Sequence, residues 1–215
     1  MRGLYAIIDI EALERRGAPP VPFAERVLAA GPAAIQLRDK RGSARATLAL
    51  LRALAAVAAA AGVPLFANDR PDLAQLAGGD GVHVGQDDLP VALVRQTFPG
   101  LRVGLSTHDA AQVEQAICEA PDYLAVGPIF ATASKENPSP VVGLRGLRDL
   151  VARVRRARPD LPIVAIGGIS LETAGEVGSM VDAVAVIGAL LPDGGLSAVE
   201  ERARALHAAI LGERR

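Results

Sequence analysis

The chain has 215 residues, 50% of them hydrophobic and 22% charged, enough for one sizeable core and too few for two ordinary domains. Its formal net charge of −1 leaves no excess of cations to hold a polyanion, and the arginines are scattered rather than massed, which argues against nucleic acid as a partner. A single cysteine, Cys118, rules out an internal disulfide framework and reads as a small core or semi-buried filler.

The first residues, Met1 to Asp9, reach an acid after a short apolar run, unlike a secretory signal. Elsewhere the longest apolar stretch, 53–61, is rich in alanine and falls short of the ~20 residues a membrane span requires. The expectation is a cytoplasmic protein folded as one domain over 1–215, with no membrane partner.

Along the chain, short apolar or β-branched runs alternate with longer stretches of helical periodicity, the pattern of parallel βα units. Taken in order, the predicted strand and helix pairs are 4–8 with 22–30, 34–37 with 44–61, 64–67 with 72–76 and 81–84 with 90–98. The second half continues with 102–105 and 110–119, 123–126 and 144–158, 162–166 and 171–176, and 183–187 and 197–211. Ser43 before the second helix and Gly62 after it are ordinary start and stop signals. Eight such units in just over 200 residues predict an α/β fold, a single closed (β/α)8 barrel of the TIM type. The rival, an open doubly wound sheet, wants a glycine-rich turn after its first strand. Here that strand runs into Ile10-Glu11-Ala12-Leu13.

Barrels carry their chemistry at the C-terminal ends of the strands. Strand two ends Gln36-Leu37-Arg38-Asp39-Lys40, where alternation sends Gln36, Arg38 and Lys40 to one side, a set suited to a polyphosphate; the plainer alternative is a solvated Asp39–Lys40 pair. Strand three ends Asn68-Asp69, and strand four runs through His83 to Gly85-Gln86-Asp87-Asp88. Carboxylates on adjacent strand ends can share a hard cation, so Asp69 and Asp88 are the metal candidates, although Asp88 also resembles a helix N-cap. His83 lies inside its strand and reads as structural.

Strand five ends Ser106-Thr107-His108, offering a hydroxyl without a nucleophile elbow and an imidazole that is either a base or a capping group. The irregular loop 127–140 follows strand six and carries Thr132, Ser134 and Lys135, hydroxyls and a charge suited to an active-site lid over phosphate, the plainer alternative being a mobile surface loop. Strands seven and eight leave the barrel at Gly167-Gly168 and at Ile187-Gly188, where a missing Cβ lets backbone amides approach an anion.

These segments, together with Leu4-Tyr5-Ala6-Ile7-Ile8-Asp9 and Gly127-Pro128-Ile129-Phe130, resemble the thiamine phosphate synthase family along nearly the whole chain and in the family's order. The resemblance implies a magnesium-dependent transferase acting on two small phosphorylated substrates. It would join a hydroxymethylpyrimidine diphosphate to a thiazole phosphate (or its carboxylated form), releasing pyrophosphate in thiamine biosynthesis. By that resemblance Asp69 and Asp88 hold Mg2+, and Gln36, Arg38, Lys40, Asn68, Ser106 and Lys135 contact the pyrimidine diphosphate, with Lys135, Arg38 and Ser106 as the catalytic groups. Thr132, Ser134, Gly167, Ile187 and Gly188 surround the thiazole phosphate; the family often has serine at the position of Gly188. Two alternatives stay open: the related thiazole tautomerase, with His108 as its base, and a non-catalytic sensor of phosphorylated ligands. A homo-oligomer is compatible with any of the three.

Overall fold

The computed structural model describes residues 1–132, 139–191 and 195–213. Eight parallel strands close in sequence order into a barrel: β1 Gly3–Asp9, β2 Ala34–Arg38, β3 Leu65–Asn68, β4 Gly81–Val84, β5 Arg102–Thr107, β6 Tyr123–Val126, β7 Ile163–Ile166 and β8 Ala183–Val186. Closure is made where β8 pairs with β1, Gly3 opposite Ala183 and Ala6 opposite Val186. The helices wrap the outside: α1 Ile10–Glu14, α2 Pro20–Leu28, α3 Ala44–Ala61, α4 Pro71–Ala77, α5 Val91–Thr97, α6 Ala110–Glu119, α7 Gly143–Ala157, α8 Leu171–Gly178 and α9 Val199–Leu211. The predicted (β/α)8 barrel is therefore the fold.

Each expected strand and helix forms within a few residues of its anticipated bounds. What periodicity missed is α1, a helix of 5 residues begun by Asp9, whose carboxylate accepts from Ala12 N at 2.8 Å. So short a helix leaves no period to detect. Helix α5 is begun by Pro90 rather than Asp88, which folds back to accept from Gly85 N. Cys118 on α6 is exposed, contrary to its expected place as filler. Helix α3 has its anticipated bounds, and at 18 residues and mean hydropathy 1.5 it passes for a membrane span by length and composition alone. In the fold it lies against the barrel through Thr47, Leu51, Leu54 and Ala58.

Two apolar clusters hold the architecture. The larger lies between strands and helices, with Leu4, Ile35, Leu65, Val82, Val103, Leu124, Ile163 and Val184 facing out from the eight strands in turn. The smaller fills the barrel interior with Tyr5, Ile7, Phe66, Tyr123, Ala125, Val164 and Ala185. Alternation along each strand sends consecutive residues to opposite clusters. The interior is asymmetric: Tyr123 meets Tyr5 and Phe66 edge to face while Tyr5 and Phe66 are tilted at 47°, with ring centroids 5.4 to 5.8 Å apart, and a Cβ at Gly81 or Gly104 would overlap the Phe66 or Tyr123 ring.

The bottom of the barrel repeats with a period of two strands. Asp80, Asp122 and Asp182 each stand just before an even strand, and their carboxylates accept from the amides of Leu65, Val103 and Ile163 at 2.9, 2.7 and 2.7 Å. Each also meets an arginine: Arg102 at 3.3 Å, Arg95 at 3.0 Å and Arg155. Before β2 the corresponding residue is Ala33, which keeps the backbone bond to Leu4 O at 2.7 Å but has no carboxylate to offer. The Leu4 amide is instead taken by His207 Nδ1 from α9 at 3.3 Å, and Gly3, at φ +106, leaves room for the imidazole.

Burial holds the His207 pKa below its ordinary 6.5. The unfolded chain therefore binds a proton first as pH falls, so the latch contributes stability above pH 6.5 that is lost on acidification through the range just below it. We expect urea midpoints of the wild type to fall between pH 7.5 and pH 5.5 by more than those of His207→Gln, which keeps an acceptor but does not titrate. Parallel loss in the two proteins would assign the acid sensitivity elsewhere.

Candidate active site

The C-terminal mouth of the barrel opens into a cavity of about 920 Å³, whose lining takes residues from the ends of all eight strands. All the anticipated site residues among those described reach it: Gln36, Arg38, Lys40, Asn68, Asp69, Asp88, Ser106, Thr132, Gly167, Ile187 and Gly188. Ser134 and Lys135 lie outside the described residues. His108 also lines the cavity, and so does His83.

One side gathers cations and carboxylates. Arg38, at the end of β2, is held by the buried Asp9 at the end of β1 at 2.5 Å. Asp9 therefore does two things: one oxygen begins α1 and the other fixes the guanidinium. Asp9 ends β1, and that position at a strand's C-terminal end is its signal in the sequence. Lys40 pairs with Asp69, not with the adjacent Asp39, which accepts instead from Gly42 N at 2.8 Å and Thr47 Oγ1 at 2.7 Å.

Asp69 leaves β3 in the left-handed region at φ 60, a conformation few non-glycine residues adopt, and its amide donates to His83 O at 2.8 Å. That turn brings it beside Asp88. The Asp88 carboxyl is pushed above its ordinary 3.8, first by burial and then by the Asp69 carboxylate, while the Gly85 amide at 2.7 Å and the Lys40 charge pull the other way. Two neighbouring carboxylates, one of them reluctant to ionise, make a donor set short of positive charge, which suits a hard divalent cation. Among the described residues no group of three or more His, Cys, Asp or Glu gathers into a metal cluster. Magnesium characteristically takes only one or two carboxylates, with ligand oxygens and water completing its shell.

The opposite side is made of backbone. Gly167 and Gly168 sit at φ 102 and 66, and a Cβ on either would strike the incoming β6–α7 segment at Pro128, Phe130 or Ala131. That segment follows a cis Gly127–Pro128 peptide and is pinned by Ile129 N to Ile166 O and Phe130 N to Gly167 O, both at 2.9 Å. The glycine corner is thus required first by loop packing, a reason distinct from the approach of an anion. Past Ile187, Gly188–Leu190 form one 3₁₀ turn, whose opening N–H groups have no partner within the turn. Nothing lies within 4 Å of a Cβ built on Gly188.

Between the two sides, a chain of buried polar groups crosses the floor. Gln36 contacts Tyr5, Tyr5 contacts Tyr123, Tyr123 contacts His83 and His83 contacts Ser106, at 2.8 to 2.9 Å. The tyrosines were not anticipated; their place on the inward face of β1 and β6 was the available signal. His108 Nδ1 donates to Gly127 O at 2.5 Å, which leaves its Nε2 as the basic nitrogen.

A (β/α)8 barrel with cations and paired carboxylates at one end of its mouth and glycine backbone at the other is an enzyme architecture for phosphorylated small molecules. Residues 4–190 match the family described as Thiamine monophosphate synthase. A Thiamine-phosphate synthase of Koribacter versatilis is 46% identical over 194 residues, 88% of this chain and 89% of that protein. That of Chloroflexus aurantiacus is 38% identical over 204 residues, 94% and 91% of the two chains. Among solved structures, a thiamine phosphate pyrophosphorylase from Pyrococcus furiosus superposes with a TM-score of 0.84 at 30% identity, covering 99% of this chain and 97% of its own. The chain belongs to the thiamine monophosphate synthase family.

Because Asp9 serves both helix and guanidinium, its replacements separate the two. Asp9→Ala should cost about 3 kcal/mol for stranding a mostly buried charge and losing a cap. Asp9→Asn, which keeps the cap, should cost about 1 kcal/mol less. Urea unfolding of the two variants beside the wild type measures the difference; equal losses would mean that the cap contributes nothing.

Proposed function

We propose that this chain catalyses thiamine phosphate synthesis: 4-amino-2-methyl-5-hydroxymethylpyrimidine diphosphate and 4-methyl-5-(2-hydroxyethyl)thiazole phosphate, or its carboxylated form, give thiamine phosphate and pyrophosphate. Support comes from family membership, and the observation that carries the site assignment is one cavity holding a cation-and-carboxylate end and a glycine-backbone end. The C–O bond between the pyrimidine methylene and the diphosphate breaks, its electron pair leaving with pyrophosphate. The lone pair of the thiazole nitrogen then forms the new C–N bond to the methylene carbon. Negative charge gathers on the leaving group, so preorganised cations favour the transition state over the ground state.

Arg38, fixed by Asp9, and Lys40 take the diphosphate, and Gln36, Asn68 and Ser106 hold the pyrimidine. Lys135, the third catalytic group beside Arg38 and Ser106, is assigned by resemblance, as is Ser134 at the thiazole phosphate. Thr132, Gly167, Ile187 and Gly188 complete that second subsite. Asp69 and Asp88 would hold Mg2+, which supplies charge neutralisation on the departing pyrophosphate. The setting is the cytoplasm, the ligands are small phosphorylated molecules, neither nucleic acid nor membrane takes part, and a homo-oligomer remains compatible with the site.

The decisive assay gives purified protein the two substrates and magnesium chloride. Thiamine phosphate should form, and Asp88→Ala should lower turnover by at least about a hundredfold with an unchanged circular dichroism spectrum. No product from the wild type would sink the synthase reading. Independently of turnover, magnesium should raise the melting temperature of the wild type and leave that of Asp88→Asn unmoved.

The basic nitrogen left on His108 is the one observation favouring the tautomerase alternative. Isomerisation of a thiazole carboxylate phosphate without metal, abolished in His108→Ala, would establish it. A further variant tests the glycine end. The open space at Gly188 accommodates a hydroxyl, so Gly188→Ser should lower KM for the thiazole phosphate a few-fold with kcat unchanged. A raised KM would mean that the phosphate already occupies that space.

A further inference from the structure

The hydrogen-bond chain on the barrel floor has a direction. Gln36 Nε2 donates to Tyr5 Oη at 2.9 Å, and Tyr5 Oη lies 2.9 Å from Tyr123 Oη. Tyr123 Oη in turn lies 2.8 Å from His83 Nδ1, and His83 Nε2 lies 2.8 Å from Ser106 Oγ. Gln36, Tyr5, Tyr123 and Ser106 are all buried, and no buried side-chain polar atom among the described residues lacks a partner.

A phenol has one hydrogen to give. With Gln36 donating to it, Tyr5 directs its own hydrogen to Tyr123. Tyr123 then gives its hydrogen to His83 Nδ1, so the imidazole carries its hydrogen on Nε2 and donates to Ser106. The Ser106 hydrogen is left for the cavity, and so is Gln36 Oε1. Burial pushes both phenols far above the ordinary 10.0, so neither link loses its hydrogen near neutral pH. Running the chain backwards requires the Gln36 amide to turn over, after which every bond reverses and Ser106 gives its hydrogen to His83.

We propose that this chain is a polarity relay, with Tyr5, Tyr123 and His83 as positioning residues that oblige Gln36 and Ser106 to present opposite faces to one bound ring. The ring must offer a donor to Gln36 and an acceptor to Ser106. An aminopyrimidine does so, its exocyclic amino group facing Gln36 and a ring nitrogen facing Ser106; this identification of the ring rests on the synthase reading. A ring with a carbonyl in place of the amino group would set oxygen against the Gln36 oxygen. A site built around buried polar partners rejects such an analogue strongly, because its own groups are left unpaired.

Two measurements test the relay, and the first needs no substrate. In ligand-free protein at pH 7.5, nitrogen-15 spectra should show His83 as the Nε2–H tautomer, and an Nδ1–H tautomer would overturn the direction of the chain. The second compares binding of the 4-amino and 4-oxo forms of the pyrimidine methyl diphosphate. Wild type should prefer the amino form by about a hundredfold or more, and Tyr5→Phe, which frees the Gln36 amide to rotate, by less than about tenfold. An undiminished preference in Tyr5→Phe would overturn the relay. Should that variant fail to fold, Tyr123→Phe cuts the same chain one link further on and is read identically. If the wild type binds neither form, the synthase reading fails, while the tautomer still decides the relay.

Discussion

Everything above the barrel floor depends on how three aromatic rings share the interior. Tyr5, Phe66 and Tyr123 fit only because β4 and β5 contribute Gly81 and Gly104 where any side chain would intrude. The aromatic group fills one part of the interior, and Ala125, Val164 and Ala185 fill the rest with small and branched side chains. That unequal filling lifts the two phenol oxygens to the base of the cavity. It also sets His83 parallel to the Tyr123 ring, with centroids 5.5 Å apart and planes at 21°. The polar chain is thus a product of packing: the rings are positioned by volume and their oxygens follow.

Above the floor, the two ends of the mouth solve different electrostatic problems. At the β1 to β4 end, charge is balanced locally, Arg38 by Asp9 and Lys40 by Asp69, and the cations are held without collapsing onto one another. Asp9 is buried, so it keeps the Arg38 guanidinium fixed where that side chain lines the cavity. At the β7 to β8 end there are no such pairs among the residues named, and the cavity wall is largely backbone. Its precision comes from the way the β6–α7 segment is pinned over the Gly167–Gly168 corner.

How much of this could be read from the chain alone follows from which signals are local. The eight strand and helix units were legible because each strand ends in a polar or glycine residue and each helix repeats at its own period. The ends of β2, β3 and β4 were legible for the same reason, since Gln36, Arg38, Lys40, Asp69 and Asp88 all reach the cavity. Pairing was not legible. Lys40 stands beside Asp39 in sequence yet bonds Asp69 across a strand, and Asp88 stands near a helix start yet folds back onto Gly85. Tyr5 and Tyr123 are far apart in sequence and meet only when the barrel closes. Helix α1 escaped because it is shorter than two turns.

The two-strand repeat at the base separates strands completed by near neighbours in sequence from one completed across the whole chain. Three odd strands have a basal amide satisfied by an aspartate that follows within 20 residues, so β3, β5 and β7 are each closed off by a neighbour in sequence. β1 is the exception. Its Leu4 amide is met by an imidazole 203 residues further along the chain. The first strand is therefore finished by the far end of the chain, β8 along its edge and α9 at its base, so a chain cut before α9 keeps the barrel's strands but loses the acceptor for the Leu4 amide.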